Sequence, residues 1–239
     1  MSESNTVRIE DAARSEDTAR TRGASARRRS TTRWGDREQR RIDILEAARS
    51  RITEQGYLSL SMRDLAAGAG VSPATLYSYF ATKEALFATL YAEAIRAHTE
   101  AFRPVADAGL DLTGLLSAVI DAHLGLFRSY GRHFPLWSAT RHDPDQVAAE
   151  RKVPRELVAE LRSVTLDHNR LLMGAIRAAA AREGRHVADE RLVPGFLWSA
   201  LNGLADHFTT ERRALDPFPA SRLIAFAADR LALAITDPD

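Results

Sequence analysis

The 239 residues include no cysteine, which excludes a disulfide, a thiolate metal site and a cysteine redox switch. That fits a cytoplasmic protein. Lysine is nearly missing too: of 33 basic residues only Lys83 and Lys152 are not arginine. No apolar run reaches the length of a membrane span, and the longest uncharged stretch, residues 65–82, is broken by Gly, Ser, Thr and Pro. The opening residues carry Glu3, Glu10 and Asp11 and no apolar segment, so no secretory signal is expected. Period-two alternation of β-branched residues is absent, as is any internal repeat. There is no Gly-rich phosphate loop, nucleophile elbow or His-Glu-x-x-His zinc motif. No two of the seven histidines stand three or four apart, so no helix offers a two-His metal face. Neither an enzyme nor a cofactor or metal is expected.

What is present is ordinary in amount, with 45% apolar and 27% charged residues, but uneven in placement. Residues 1–84 hold 15 basic and 12 acidic side chains, whereas 85–239 hold 18 and 20. From Arg20 to Arg41 nine arginines face only Asp36 and Glu38. Such a block is either a solvated tail with an arginine bias or the footprint of a polyanion partner. Residues 1–35 contain too little apolar material to offset their ordering entropy and read as a disordered, Arg-rich arm.

From Asp36 onward the pattern is helical, and the fold class is all-α. Ile42, Leu45, Ala48 and Ile52 form one stripe of a helix of about 19 residues that Gly56-Tyr57 ends. Ser61 caps a short second helix, with Asp64 in a capping-box position, and Gly70 stops it. Ser72-Pro73 begins a third helix, and Thr82 a fourth that runs to about Arg103, ahead of Pro104. Further helices are expected over Leu112–Tyr130, Phe134–Arg141, Arg155–Glu183, Ala188–Arg213 and Ala220–Ile235.

Short helices joined by a Gly-containing turn are the layout of a helix-turn-helix reader, although hairpins of this shape also occur without nucleic acid. On the third helix Leu76 and Phe80 share the face that packs inward with Val71. Ala74 and Ser78 point the opposite way, with Thr75, Tyr77 and Tyr79 on the flanks. A small, uncharged outer face enters a major groove about 12 Å wide without collision, its N-terminal end towards base edges. Hydroxyl and phenol groups at the rim suit phosphate oxygens, as do Lys83 and the opening backbone N–H groups of the fourth helix.

The run from Asp64 to Leu86, with its Gly-Val-Ser turn, Leu-Tyr-x-Tyr-Phe helix and Lys-Glu-x-Leu opening, resembles the DNA-binding signature of TetR-type transcriptional regulators. The likeness extends from about Arg41 to Leu90. It implies a homodimer with an N-terminal reader and a C-terminal domain for dimerisation and ligand binding. It further implies repression by occupying a palindromic operator in double-stranded DNA, with release by a small-molecule effector. The resemblance places phosphate contacts on Ser61, Tyr77, Tyr79 and Lys83, and base or mixed contacts on Arg63, Ser72, Pro73, Ala74 and Thr75, with Ser78 on the same outward face. Gly68 departs from the pattern and costs the second helix about 1 kcal/mol relative to Ala. The domains expected are the arm at 1–35, the helix-turn-helix domain at 36–83 and the helical ligand-binding and dimerisation domain at 84–239. Arg27, Arg28, Arg29 and Arg33 could follow the minor groove beside the reader, or add only unspecific attraction.

The remaining sequence is less informative. Leu197, Leu201, Leu204 and Phe208 make an apolar stripe, as do Leu223, Ala227, Leu231 and Ala234 on the last helix. They form either an intramolecular core or, as the resemblance implies, a homodimer interface through the last two helices. Candidate ligand-binding residues are Phe102, His123, Phe127, Phe134, Trp137, His168, Met173, Trp198 and Asn202, bulky and polar side chains mixed on the middle helices, although each alone also suits an ordinary core. Few charges lie beside these aromatics, which points to a neutral or lipophilic effector. The effector could instead be a co-repressor, the dimer could bind DNA constitutively, or the reader could be degenerate on a small-molecule-binding dimer.

Overall fold

The structure is a computed structural model that describes residues 35–131 and 153–238. The expected arm and the helix at Phe134–Arg141 lie outside the described residues. Among those described are eight α-helices: α1 Gly35–Ser59, α2 Met62–Gly68, α3 Pro73–Tyr79, α4 Lys83–Asp107, α5 Leu112–Tyr130, α6 Arg155–Arg182, α7 Val193–Thr209 and α8 Ala220–Ile235. A 3-10 turn covers Glu211–Leu215, and strands β1 Arg185–Val187 and β2 Thr236–Pro238 pair antiparallel, with His186 opposite Asp237.

The chain forms two compact units, one ending at Ile44 and one beginning at Leu45. Of the first, the described part is the opening of α1, where Gln39 Nε2 donates to Asp43 Oδ1 across one turn at 2.9 Å. The α1 stripe differs from expectation at one residue. Ile44, Leu45, Ala48 and Ile52 are buried, whereas Ile42 is 40% exposed. At about 100° per residue, positions 44, 45, 48 and 52 fall within a quarter-turn or so, and position 42 lies roughly 60° beyond its edge. Gly56 breaks α1 at φ 76, ψ 163, a left-handed φ that suits glycine.

The second unit has its main core between α5, α6, α7 and α8. Phe102, Leu112, Leu116, Ile120, Ile176, Leu197 and Ile235 are almost completely buried there. A second cluster joins α4 to α6 through Tyr91, Ile95, Val158 and Leu161. Three elements depart from the sequence reading. Helix α4 continues past Pro104 to Asp107. The ring removes one backbone donor in the last turn, while Val105 and Ala106 beyond it pack on the main core. The expected helix at 188–213 is a turn, a helix and a 3-10 turn. Asp189 Oδ1 accepts from the backbone N–H groups of Arg191 and Leu192, which holds the turn, and Pro194 sits in the first turn of α7. The β1–β2 pair was not foreseen, being three residues a side; Arg185 fastens it by donating from Nε to Thr236 Oγ1 at 2.7 Å.

The apolar stripes of α7 and α8 face inward more than outward. Leu197, Leu201 and Leu231 are buried, and Leu204, Phe208 and Ala227 pack against the same core. Ala234 is exposed. The large apolar side chains left outside are their neighbours, Phe196 on α7 and Phe226 and Leu233 on α8.

Candidate nucleic-acid interface and effector cavity

Three hydroxyl caps build the reader. Ser61 accepts from Asp64 N, Ser72 from Thr75 N at 3.0 Å and Thr82 from Ala85 N at 3.0 Å, so α2, α3 and α4 each start where a side chain satisfies an otherwise unpaired N–H. Between α2 and α3 the chain reverses through Gly70 at φ 65, and Val71 N donates back to Ala66 O at 2.9 Å. Leu65, Ala66, Leu76 and Phe80 are buried, which fixes how α3 sits on α2.

The outer face of α3 is as the spacing predicts. Pro73, Ala74, Tyr77 and Ser78 are exposed, Tyr77 at 52%, and Thr75 and Tyr79 are half-buried. Two hydroxyls at its N-terminal end are already engaged with each other, Ser72 Oγ and Thr75 Oγ1 lying 2.8 Å apart. Ser78 Oγ donates to Thr75 O. Arg63 is exposed and Ser61 half-buried at the start of α2.

Lys83 has a partner that the sequence did not announce. Its Nζ lies 4.4 Å from the centroid of the Tyr57 ring, and that ring packs on Phe87 at 4.4 Å. Burial pulls the amine below the ordinary lysine value, with Glu84 opposing, and burial raises the Tyr57 phenol. Phe87 in turn touches Tyr91 and Tyr130, and Arg49 on α1 pairs with Glu93 on α4 at 2.9 Å. Thus α1, α4 and the end of α5 meet in one aromatic and ionic cluster next to the reader.

A cavity with about 40 Å³ of free space lies between α4, α5, α6 and α7. Five of the nine candidate ligand residues line it: Phe102, His123, His168, Met173 and Trp198. Phe127 and Asn202 are adjacent rather than lining. Phe127 sits 6.1 Å from the His123 ring, and Asn202 Nδ2 donates to Trp198 O while its amide leans on the His123 imidazole. Phe134 and Trp137 lie outside the described residues. His98 was missed, yet it lines the cavity one turn before Phe102 on α4, a spacing that could have flagged it.

Desolvation lowers the pKa of all three cavity histidines. The pKa of His123 falls to about 4 and that of His168 to about 4, both chiefly through burial and secondarily through neighbouring histidines; His98 is also lowered by burial. His123 is only 6% exposed, and its Nε2 has no hydrogen-bond partner. Among the described residues no group of three His, Asp or Glu side chains converges to hold a metal ion, and no helix is long and apolar enough to cross a membrane.

Residues 44–90 match the family described as bacterial regulatory proteins, tetR family. Over 53 residues the chain is 42% identical to an uncharacterised HTH-type transcriptional regulator of Mycobacterium tuberculosis, which covers 22% of this chain and 25% of that protein. The chain therefore spans about a quarter of the length of the curated relatives it matches. The fold is similar to that of the transcriptional regulator FadR from Bacillus subtilis, solved in complex with stearoyl-CoA, with a TM-score of 0.55 and 20% identity over 81% of this chain and 98% of that one. It is also similar to the TetR family regulator PfmR from Thermus thermophilus, with a TM-score of 0.55 and 22% identity over 80% of this chain and 97% of that one.

Proposed function

We propose, from the premise that this chain belongs to the tetR family of bacterial regulatory proteins through its residues 44–90, that it is a sequence-specific DNA-binding transcriptional regulator. It acts as a homodimer on a palindromic operator and is released when a small molecule occupies the cavity in its helical body. The observation that carries the reading is the division of α3 into a buried edge, Leu76 and Phe80, and a small uncharged outer face around Ala74 and Ser78. That face fits a major groove, with Tyr77, Tyr79, Ser61 and Lys83 towards phosphates and Arg63, Ser72, Pro73 and Thr75 towards base edges. Residues 36–83 act as the reader and 84–239 as the body, with the arm at 1–35 ahead of them.

The coupling runs along α4. Its N-terminus is Lys83, at the reader, and His98 and Phe102 on the same helix line the cavity. Fifteen residues from Lys83 to His98 make a rod of about 22 Å, so a tilt of about 5° moves the reader end by about 2 Å. Half-sites are spaced by the DNA repeat, so two readers that each shift by this much lose register. A ligand releases DNA only if it favours the tilted state.

Dimerisation through α7 and α8 is supported by Phe196, Phe226 and Leu233, which stand outside the core beside the small residues Ser199 and Gly203. Exposed aromatics on adjacent helices are costly in a monomer and normal at a two-fold interface. The deciding experiment is a footprint on the DNA flanking the gene of this protein. A sharply bounded, inverted-repeat protection is the expected result. Uniform binding at every sequence, at moderate salt, would refute the reading.

A further inference from the structure

The cavity wall carries four polar side chains, His98, His123, His168 and Asn169, and among the described lining there is no Lys, Arg, Asp or Glu. Its hydrogen-bonding state follows from Thr99. The Thr99 hydroxyl donates its one proton to Ile95 O at 2.8 Å, so it can only accept from His168 Nδ1, 3.1 Å away. His168 therefore carries its proton on Nδ1, and its Nε2 is a bare lone pair. His123 Nε2, buried and without a partner, belongs to a side chain of the same wall. A buried polar atom left unpaired is costly, so an occupant that pairs His123 Nε2 is strongly preferred. A carboxylate or phosphate would meet a lone pair and no cation. A ketone or ether could accept but has nothing to donate to His168. A hydroxyl donates its proton to His168 Nε2 and accepts from His123 Nε2 when that ring carries its proton there.

We propose that this cavity takes a compact, uncharged, largely apolar molecule bearing a hydroxyl group, held between the imidazoles of His123 and His168. The proposal rests on the reading of the cavity as the effector site, and it sets the ligand class. The rest of the wall, with Phe102, Met173, Trp198 and Leu201, supplies the apolar contact, and the limited free space selects against long chains.

The test is calorimetric titration of the full chain with phenol, benzene and benzoate near neutral pH, where phenol is uncharged. Phenol is expected to bind at least about fivefold more tightly than benzene, the equivalent of one neutral hydrogen bond, and benzoate more weakly than either. His123→Leu is expected to erase the advantage of phenol while benzene binding persists. His123→Asn, which keeps a short hydrogen-bonding side chain, should retain part of it and guards against a variant that merely misfolds. Equal affinity for phenol and benzene overturns the proposal. So does tighter binding of benzoate with proton uptake, which would leave the effector site standing with an acid as its ligand. If no probe binds, or if binding survives filling the cavity with Ala122→Leu, the effector-site reading falls as well.

Discussion

Acid should unfold this protein through its buried imidazoles before its carboxylates are fully titrated. His123 titrates at about 4 in the folded chain against an ordinary 6.5, and His168 likewise at about 4. Between those two values the unfolded chain binds a proton that the folded chain refuses, so stability is intact above pH 6.5 and falls as pH drops towards 4. A shift of this size corresponds to about 3 kcal/mol per ring once the transition is complete, of which about 2 kcal/mol is lost between about pH 7.5 and pH 5. The assay is urea denaturation followed by circular dichroism at fixed protein concentration across that range, comparing the native chain with His123→Gln. The variant is less stable at neutral pH yet should lose about 2 kcal/mol less on acidification, because its amide does not titrate. Carboxylate pairs contribute equally to both proteins and cancel in the comparison. If the two curves fall in parallel, His123 is not held neutral by its surroundings and the description of the cavity as an uncharged wall fails.

Four further outcomes are expected. Tyr77→Ala should weaken operator binding more than tenfold with stability changed by less than about 0.5 kcal/mol, since the ring is mostly in solvent; filter binding and thermal melts check both. Lys83→Ala should also lower affinity and reduce the salt slope by about one, but it costs about 0.5–1 kcal/mol of stability as well, because the amine rests on Tyr57. Gly68→Ala should stabilise the chain by about 0.5–1 kcal/mol in denaturant titrations. The added methyl meets the Arg51 guanidinium, Nε at 3.3 Å, which is the movable end of a long side chain; a destabilised variant would show that Arg51 is fixed there. Phe226→Glu should leave the monomer folded and shift the proposed dimer to monomer in analytical ultracentrifugation, as the ring is 61% exposed; an unchanged sedimentation profile would remove α8 from the proposed interface.

The reader was legible in the sequence because its determinants are local. Ser61, Ser72 and Thr82 each cap the residue three positions on, and the Leu76 and Phe80 spacing fixes a face within a single turn. Helices α5 and α8 match their expected bounds for the same reason, with punctuation at Asp111, Gly131 and Pro219. What stayed hidden depends on distant partners. Lys83 looked like a solvent-facing phosphate ligand until Tyr57, from the end of α1, was placed under it. His98, His123 and His168 sit on three different helices, so no spacing rule finds them together. The stripes on α7 and α8 were identified as apolar, but a sequence does not say which of two flanking rows meets its own core and which stays outside.

The cramped dimensions of the cavity bear on how faithfully it reports its guest. Free space of about 40 Å³ admits a few waters and no more, so any organic molecule must wedge its surroundings apart to enter. A roomy chamber would accept a visitor silently; a tight one turns every arrival into motion. The same work is subtracted from affinity, so under the proposed coupling, widening the chamber by trimming Leu172 or Met173 would tighten binding while muting the response of α4.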